Sequence, residues 1–412
     1  MNNILYINTV DYPNNAVAKI INNLRNGLKN TEWDSVFAVG RHSNSGTSDI
    51  RIGNILDMYS HTILSRLFDS EGRHSINATN NFIKDLERRN IDLIHIHNLH
   101  GHYINYPILF EWIIKNNIPT IITLHDCWLI TGHCATYYHN SCCPPKHCRN
   151  CSKHNDEYPN SWLPDCITRN RYKNIILKQK IFSYNNLHFV AVSEWLKNQV
   201  LKSGLTNNIS VIPNGVDTTI FNPPEHKIKS DVFKILFITN NWESWKKLDS
   251  VIEFSKILRD DESITIVGNV YGRRLPKRIN YIKNISNQQE VKKLYWSHDL
   301  FISPSAAETF GMTTAEAMAC GLPVIVNNSA GLPELVTEYS GLITDTSNPR
   351  QLREAVDYIR TNYKSFSPYK HFSSRYSADI MCQNYINLYN QIKNSEKHLA
   401  VRNKSITFAH EK

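Results

Sequence analysis

Residues 303–321, SPSAAETFGMTTAEAMACG, form the stretch of this chain that decides its fold. Glu308 and Glu316 stand eight residues apart in it, and short apolar segments flank it, LFIS at 300–303 and PVIVNN at 323–328. The order of these segments predicts a strand, a tight loop, a helix that stops at a glycine, and a second strand. Glu308 then lies in the loop, and Glu316 lies about one turn inside the helix.

The start of this predicted helix is a position suited to anions. Its first backbone N–H groups have no partner within the helix, and the helix dipole adds a partial positive charge there. Such a helix start binds phosphate, and two carboxylates beside it can accept hydrogen bonds from the hydroxyls of a ribose and of a sugar. The stretch therefore predicts a pocket that suits a nucleotide sugar.

The same stretch resembles the Glu-x7-Glu motif of the retaining GT-B glycosyltransferases, specifically the large family 4 (group 1). VIPNGVD at 211–217 resembles the inter-domain segment of that family, and GLPELV at 331–336 resembles its Gly-x-x-Glu turn. IDLIHIHNLHG at 91–101, followed by TIITLHDCWLITGHC at 120–134, resembles the acceptor-side half of the colanic-acid, capsule and O-antigen branch. Four blocks in the family's order form a specific signal.

The length and the hydrophobic pattern predict two domains of the α/β class. A chain of 412 residues is long for one core. Short apolar runs separated by helical stretches predict βαβ units, with parallel sheets covered on both faces. The resemblance implies a GT-B fold, in which two Rossmann-like domains face a central cleft and a C-terminal helix crosses back to the first domain. The predicted strands are 4–10, 34–40, 92–97, 120–125, 188–193, 209–214, 233–239, 263–268, 299–305, 323–328 and 341–345.

The boundary between the domains is predicted near Pro213–Asn222, where Pro, Asn and Gly interrupt the pattern. We expect an acceptor-side domain at 1–212 and a nucleotide-sugar-binding domain at 213–371. A crossover helix is expected at 372–395 and a flexible tail at 396–412. The buried stripe of the crossover helix is predicted to contain Met381, Tyr385, Leu388 and Ile392.

The resemblance places the donor site in the second domain. Glu316 matches the family glutamate that holds the ribose, and Glu308 matches the one that contacts the donor sugar. Lys246 matches the lysine that neutralises the leaving diphosphate, with Lys247 in the place of the usual glycine; a shift by one residue would select Lys247 instead. Further donor-binding positions, including backbone amides that face the diphosphate, are Thr309, Phe310, Gly311, Met312, Asn214 and Gly215.

The sequence departs from the family pattern in two loops. Asn240 or Asn241 takes the place of a family arginine, and neither carries charge. The usually glycine-rich first loop reads DYPNNAVA at 11–18, with Asn14 and Asn15 in the glycine places on the acceptor side. Asparagine tolerates the left-handed region better than most residues, so the loop is expected to keep its turn. Substitutes for the arginine are sought in the loop that carries Arg273, Arg274 and Lys277.

His125 ends a predicted strand and therefore lies at the carboxyl edge of the sheet, facing the cleft. The resemblance implies that His125 meets the transferred sugar, so that it forms the catalytic set with Glu308 and Lys246; the alternative is a structural histidine. His97 and Asp126 are acceptor-side candidates. His97 is either an acceptor contact or an internal hydrogen-bonding group, and Asp126 is a candidate base. The resemblance also implies front-side attack, in which the leaving phosphate takes the proton.

Seven of the nine cysteines lie in an insertion at 127–166 that is also rich in histidine. Cys148 and Cys151 have the spacing of a metal-ligand pair, and Cys134 with Cys142 or Cys143 would complete a structural Zn²⁺ site. The alternative is a loop of reduced thiols that pack as small hydrophobic groups. Because no Asp-x-Asp motif is visible, we expect no catalytic metal ion and no required cofactor.

The bulk composition predicts a cytoplasmic globular protein. The net charge is +9, and no apolar run approaches the roughly 18 residues of a membrane span. The N-terminal residues resemble a strand and not a signal peptide. The basic balance either has no special meaning or draws the protein to anionic lipid at the cytoplasmic face of an inner membrane, where a lipid-linked acceptor lies. No nucleic-acid-binding motif is visible.

The predicted function is a retaining hexosyltransferase that moves a hexose from a UDP- or GDP-linked donor to a growing, lipid-linked bacterial surface glycan. Two alternatives stay open. A nucleotide-sugar 2-epimerase shares the architecture but needs no acceptor. A non-catalytic partner of a glycan-assembly complex would account for the missing arginine and the altered first loop. The HDCW block and the Glu-x7-Glu arrangement favour the transferase.

Overall fold

A computed structural model describes residues 2–132, 134–136, 167–168, 170–226, 230–285 and 287–410, with side chains described through residue 395. The first of its two sheets contains β1 (Asn2–Val10), β2 (Trp33–Arg41), β3 (Ile50–Arg51), β4 (Leu93–Ile96), β5 (Thr120–Leu124), β6 (Leu187–Ala191) and β7 (Ile209–Val211). The second contains β8 (Phe233–Asn241), β9 (Glu262–Asn269), β10 (Ile279–Ile282), β11 (Leu300–Ser303), β12 (Val324–Asn327) and β13 (Gly341–Thr344).

Helices alternate with these strands. Those of the first half are α1 (Ala16–Gly27), α2 (Ile55–Phe68), α3 (Ile76–Leu86), α4 (Tyr106–Lys115), α5 (Arg171–Phe182) and α6 (Glu194–Ser203). Those of the second half are α7 (Leu248–Ser255), α8 (Gln288–Ser297), α9 (Met312–Ala319), α10 (Pro349–Thr361), α11 (Pro368–Ser373) and α12 (Ala378–His410).

Both sheets are parallel and doubly wound. The strand order is β3-β2-β1-β4-β5-β6-β7 in the first and β10-β9-β8-β11-β12-β13 in the second, and every pair of neighbouring strands is parallel. The predicted α/β class, GT-B architecture and every predicted strand are therefore confirmed. Two edge strands were not predicted, because β3 has only two residues and β10 exposes Asn280 and Tyr281.

Both faces of the first sheet are buried, as its continuous apolar strands require. Along β1, Ile4 and Tyr6 pack into a core that includes the C-terminal helix, whereas Leu5 and Ile7 pack into the core on the opposite face. That opposite core continues through residues of the second domain, among them Phe310. The two sheets are therefore joined by packed side chains and not only by the chain between them.

Helix α12 packs on the first domain, as predicted, through Met381, Cys382, Tyr385, Tyr389 and Ile392. Tyr389 is fully buried, whereas Leu388 of the predicted stripe is only partly buried. The backbone is helical to His410, within the segment predicted as a flexible tail.

The crossover helix does not begin at residue 372, where the sequence analysis placed its start. Val216 is the reason, because its backbone N–H donates to the carbonyl of Tyr376 and its carbonyl accepts from Ala378. These two bonds hold residues 376–378 in a parallel bridge to Val216, in the segment that connects the two sheets. They divide the predicted helix into α11 and α12.

Candidate active site

The candidate site lies where the carboxyl ends of the two sheets face each other. In each sheet the chain leaves two adjacent strands in opposite directions, β1 and β4 in the first and β8 and β11 in the second. Ligands of doubly wound folds bind at such points. A cavity of about 500 Å³ opens there between the two domains. Glu308 and Glu316 both line it, so the pair that motivated the prediction shares one cavity.

The start of α9 forms one wall of the cavity. Phe310, Gly311, Met312 and Thr313 line it. The first bond of the helix runs from the Ala315 N–H to the Gly311 carbonyl at 3.1 Å, so the N–H groups before residue 315 have no partner within the helix. Gly311 takes a φ of 99°, a conformation that favours glycine. The amides predicted to face a diphosphate therefore border the cavity.

Lys246 and Glu308 form an ion pair in the same cavity. Their side chains are 20% and 24% exposed, so each stays accessible to a ligand. Lys247 has a φ of 59°, which fits its position in the place of a family glycine, and it is not among the residues that line the cavity. Of the two lysines, Lys246 is therefore the one that lines the cavity.

Glu316 is buried at the back of the cavity, where it is 9% exposed. The hydroxyl of Tyr295 lies 3.2 Å from its Oε2 atom. Burial raises the pKa of the Glu316 carboxyl, while the positive charge of Lys19 acts in the opposite direction. Neither Tyr295 nor Lys19 was singled out in the sequence, although Lys19 lies in the first turn of α1, directly after the first strand.

The missing arginine has no substitute in the predicted loop. Asn240 and Asn241 line the cavity at the arginine position. Arg273 instead forms an ion pair with Asp249, and none of the three suggested substitutes is a lining residue. The lysines and arginines that line the cavity, among the residues described, are Lys19 and Lys246.

His125 lines the cavity from the first domain. Its carbonyl accepts a hydrogen bond of 2.7 Å from the hydroxyl of Thr309, which joins the predicted sugar-contacting histidine to the donor loop across the cleft. Burial lowers the pKa of His125 to about 4, so its imidazole is neutral near pH 7. A neutral ring can donate from one nitrogen and accept at the other.

His97 lies behind His125 and is not a lining residue. Its Nδ1 atom is 2.8 Å from Nε2 of His125, and the two rings stack with centroids 5.1 Å apart. Burial also lowers the pKa of His97. The placement of His97 therefore fits an internal hydrogen-bonding group. Its contact with His125 fixes the orientation of the His125 ring.

Asp126 lines the cavity with both carboxylate oxygens engaged. Oδ2 lies 2.7 Å from Nε2 of His100, and Oδ1 accepts from the N–H of Trp128 at 2.8 Å. Burial acts to raise the pKa of Asp126, but the charge and hydrogen bond of His100 outweigh it and hold the pKa below its ordinary value. A carboxylate of low pKa is a weak base.

The two asparagines of the first loop have different positions. Asn14 lines the cavity. Asn15 is the N-cap of α1, and its side chain accepts from the N–H of Ala18 at 2.9 Å. The loop keeps its turn, as expected, because the N–H of Asn15 donates to the carbonyl of Tyr12 at 2.9 Å. Neither Asn14 nor Asn15 has the positive φ that asparagine would tolerate. The side chain of Asn15 caps the helix, and Asn15 is not among the residues that line the cavity.

Asn214 and Gly215 also differ in position, because only Asn214 lines the cavity. Asn214 lines the cavity and is 6% exposed. Gly215 lies against the start of α12, where a Cβ atom would come within 2.6 Å of the Ala378 Cα. The glycine therefore permits close packing of the crossover helix, and its predicted donor contact is not found among the lining residues.

The Gly-x-x-Glu turn ties the donor loop to the first domain. The N–H of Gly331 donates to the carbonyl of Glu308 at 2.8 Å. The carboxylate of Glu334 accepts from the N–H groups of Glu194 and Trp195, at 2.8 and 2.5 Å, at the start of α6. A helix start favours a carboxylate, so this contact holds the domains together beside the cavity.

Most of the predicted zinc ligands, including Cys143, Cys148 and Cys151, lie outside the described residues. Cys134 is buried, and its carbonyl accepts from the hydroxyl of Thr131 at 2.6 Å. No group of three or more His, Cys, Asp or Glu side chains that could hold a metal ion occurs within the described part of the chain.

The fold and the site define the class: a two-domain GT-B protein whose cleft is lined by the start of a helix. The protein-family model described as Glycosyltransferase Family 4 matches residues 17–220, and the protein-family model described as Glycosyl transferases group 1 matches residues 218–373. The chain belongs to this family of group 1 glycosyltransferases.

Among curated relatives, a probable sucrose-phosphate synthase of Thermosipho melanesiensis is 31% identical over 208 residues, 45% of this chain and 48% of the relative. The O-antigen biosynthesis glycosyltransferase WclY of Escherichia coli is 29% identical over 133 residues, 32% of this chain and 36% of the relative. The chain thus spans about half the length of the first curated relative it matches.

Two solved structures share the fold. Sucrose-phosphate synthase of Thermosynechococcus elongatus has a TM-score of 0.70 at 13% identity, with 96% of this chain and 100% of that chain covered. HepE of Anabaena, solved with UDP and glucose, has a TM-score of 0.66 at 14% identity, with 94% and 99% covered. No described helix is long and apolar enough to cross a membrane.

Proposed function

We propose that this chain is a retaining glycosyltransferase that moves a hexose from a nucleotide-diphosphate sugar to a lipid-linked surface glycan. The observation that carries the proposal is the Lys246–Glu308 pair beside the start of α9, in a cavity that His125 closes from the opposite domain. Glycosyl transfer needs a cation beside the diphosphate, a carboxylate that binds the sugar and a contact from the acceptor side, all at one place. HepE, of the same fold, was solved with UDP, which supports a UDP-linked donor; GDP stays open.

The donor diphosphate would bind the free N–H groups at the start of α9, with its charge opposed by Lys246 and Lys19. Glu316 would accept from the ribose hydroxyls, and Glu308 would accept from the sugar. Lys246 contacts the carboxylate of Glu308. In the donor complex, the Lys246 ammonium would contact both the Glu308 carboxylate and a phosphate oxygen. Its positive charge would then stabilise the negative charge that develops on the leaving diphosphate.

Transfer would break the bond between the anomeric carbon and the phosphate oxygen and form a bond from the same carbon to the acceptor oxygen. Attack from the face of the departing phosphate retains the configuration, and the acceptor proton passes to that phosphate. Asp126 fits this scheme as an anchor of His100 and not as the base, because its pKa is lowered. His125, held by His97 and Thr309, would contact the sugar hydroxyls.

The surface-glycan acceptor rests on the HDCW block of the first domain and on the partial match to WclY, which is named for O-antigen biosynthesis. Sucrose-phosphate synthases share the fold and part of the sequence, so these two features, and not the fold, carry the choice of acceptor. The cluster of charged groups in the cavity supports a catalytic protein over a non-catalytic assembly partner.

A donor panel and an acceptor test examine the proposal. Saturating UDP-, GDP- and dTDP-hexoses should raise the melting temperature for one nucleotide by a few degrees, because a ligand of the native state stabilises it. Release of the nucleoside diphosphate should require a glycan acceptor. NMR should show that the new glycosidic bond has the anomeric configuration of the donor. Conversion of the nucleotide sugar without an acceptor would indicate the epimerase, and no shift with any nucleotide would contradict the proposal.

A further inference from the structure

Two polar side chains, on the face of the first sheet that α1 and α12 cover, each have one buried atom without a hydrogen-bond partner in the described chain. These atoms are Oδ1 of Asn8, which is fully buried, and Nε2 of His97, which is 3% exposed as a residue. Unpartnered buried polar atoms are rare in native proteins. Here the two lie on neighbouring strands, and His97 contacts the histidine that lines the cavity.

Asn8 and His97 stand side by side. Strands β1 and β4 pair in parallel with Ile7 opposite Ile96, so the next residues of the two strands, Asn8 and His97, are also neighbours. The N–H of His97 donates to the carbonyl of Ile7 at 2.9 Å. The rings of Tyr6 and His97 pack with centroids 6.1 Å apart, and Asn8 shares the face of Tyr6 because side chains alternate along a strand.

The unpartnered nitrogen of His97 is directed towards Asn8. Strand β4 lies between β1 and β5. On the β5 side, Nδ1 of His97 is 2.8 Å from Nε2 of His125. The two nitrogens of an imidazole point in widely different directions, so Nε2 of His97 points to the β1 side, where Asn8 lies.

The amide of Asn8 offers an oxygen at this place and not an N–H group. Its Nδ2 atom donates to the carbonyl of Val10 at 2.8 Å, which fixes the orientation of the amide. His95, the other histidine on this face of β4, does not compete for the oxygen. Its two nitrogens each lie 2.8 Å from a hydroxyl, those of Tyr389 and Thr123. His97 is therefore the ring that the oxygen of Asn8 can serve.

These contacts determine which ring nitrogens have protons. Burial lowers the pKa of both His97 and His125, so each neutral ring has one N–H group and one bare nitrogen. A proton on Nε2 of His97 complements the oxygen of Asn8, whereas a bare Nε2 would set one lone pair against another. The bare Nδ1 of His97 then accepts from Nε2–H of His125, which leaves Nδ1 of His125 bare.

The second ring nitrogen of His125 is the one available to a ligand. His125 is partly exposed and lines the cavity, and its Nε2 atom is engaged by His97. A bare Nδ1 can accept a hydrogen bond but cannot donate one.

We propose that Asn8 is a positioning residue that acts through His97 to keep Nδ1 of His125 bare, so that the cavity accepts a hydrogen bond from a sugar hydroxyl and selects against a group that cannot donate. The choice of a sugar hydroxyl rests on the function proposed above. The positions of the ring protons do not depend on that function.

NMR of the full chain labelled with ¹⁵N-histidine tests the proton positions directly. Bare and protonated ring nitrogens have well-separated shifts, and loss of signals in His97→Gln and His125→Gln assigns the two rings. At pH 7.5 without nucleotide, both rings should have their proton on Nε2. A proton on Nδ1 of His125 would overturn the proposal, whether or not any variant of Asn8 folds.

Variants of Asn8 test its part in this arrangement. Asn8→Leu removes the acceptor at nearly constant volume and should shift the His125 proton towards Nδ1, because an N–H of His97 would face an apolar group. Asn8→Asp keeps an oxygen and should leave the proton on Nε2. The matched control is Asn174→Leu, since the Asn174 amide also donates to a carbonyl at 2.8 Å, has a buried Oδ1 atom without a described partner, and lies outside the cavity lining. Identical proton positions in Asn8→Leu and the parent would contradict the role of Asn8.

Donor analogues measure the consequence for transfer. In each analogue one sugar hydroxyl is replaced by hydrogen or by fluorine, neither of which can donate. At the position that meets His125, both replacements should lower kcat/KM about ten-fold or more, because the nitrogen loses its donor. His125→Leu identifies that position by abolishing the loss there. Asn8→Leu should shrink the loss with fluorine, whereas Asn174→Leu should keep it. If no position shows a loss that depends on both His125 and Asn8, the selection is wrong.

The two readouts separate this proposal from the proposed function. No transfer with any donor, together with Nε2 protons on both rings, would contradict the transferase and leave the positioning role of Asn8 intact. Transfer by a protein whose His125 has its proton on Nδ1 would contradict the positioning role and leave the transferase intact.

Discussion

The two walls of the cleft come from the same kind of parallel sheet, yet they hold their polar groups differently. On the second-domain wall, Lys246 and Glu308 are partly exposed and contact each other. On the first-domain wall, polar groups are buried and linked in series: His97 contacts His125, and His95 contacts Tyr389 of the crossover helix. The donor wall should therefore respond to substitution one group at a time, whereas the acceptor wall should respond as a unit, in stability as well as activity.

The largest effect is expected on the donor wall. Lys246→Met should lower kcat about 10²–10³-fold, because it removes charge stabilisation of the leaving diphosphate. Melting temperature should change little, because the pair is partly exposed. Steady-state transfer assays measure the first quantity and thermal unfolding the second.

The matched control is Lys256→Met, which removes a lysine from an exposed pair with Glu253, 2.7 Å apart and outside the cavity. It should leave transfer unchanged. Equal losses in both variants would mean that the donor wall has no special role for Lys246.

A smaller effect is expected for the cation that comes from the opposite wall. Lys19→Met should weaken binding of the nucleotide sugar about ten-fold, since it removes a charge-assisted contact. Calorimetric titration with the nucleotide diphosphate gives the affinity. Lys29→Met, just after the same helix, is the control. If Lys19→Met leaves the affinity unchanged, Lys19 does not replace the missing family arginine.

Much of the donor wall was predictable because short local motifs determine it. The Glu308 loop, the start of α9 and Lys246 follow from a strand, a loop and a helix in direct succession. Lys19 was missed because it is one of many lysines and only the cleft brings it near Glu316. The role of Gly215 was misassigned for a related reason: its neighbour, α12, lies more than 160 residues away in the chain, in a contact that local sequence does not encode.

The acceptor wall was less predictable because burial decides the role of each histidine. His97 and His125 end neighbouring strands in the sequence pattern, but only the structure shows one behind the other.

The first domain, including its acceptor wall, should be sensitive to acid. Burial lowers the pKa of His61 to about 3 and that of His125 to about 4, and it lowers those of His95 and His97 well below 6.5. Between pH 6.5 and about 4 the unfolded chain binds protons that the native state excludes. The free energy of unfolding should therefore fall with acidification, by about 1.4 kcal/mol per pH unit for each histidine.

Urea unfolding at pH 7.5, 6 and 5 measures this slope. His97→Gln should reduce it by about one histidine's share, with the value at pH 7.5 giving the cost of the substitution itself. Stability that rises on acidification would contradict the buried, neutral network. His100 acts in the opposite sense: Asp126 outweighs burial and raises its pKa, so its contribution is lost only as pH rises through that raised value.

The smallest effect is expected at Lys247. Its φ of 59° is one that glycine adopts readily, so Lys247→Gly relieves backbone strain while it increases the freedom of the unfolded chain. The free energy of unfolding should change by less than about 1 kcal/mol, and transfer should be unaffected. Loss of transfer comparable to that of Lys246→Met would show that the wrong lysine has been assigned.

A structure with bound UDP or GDP is the most direct test of the donor site. We expect the two phosphates within hydrogen-bonding distance of the backbone N–H groups of Met312 and Thr313, with the Lys246 ammonium against them and the ribose hydroxyls on Glu316. A nucleotide bound elsewhere, or one whose phosphates face away from the start of α9, would contradict the account.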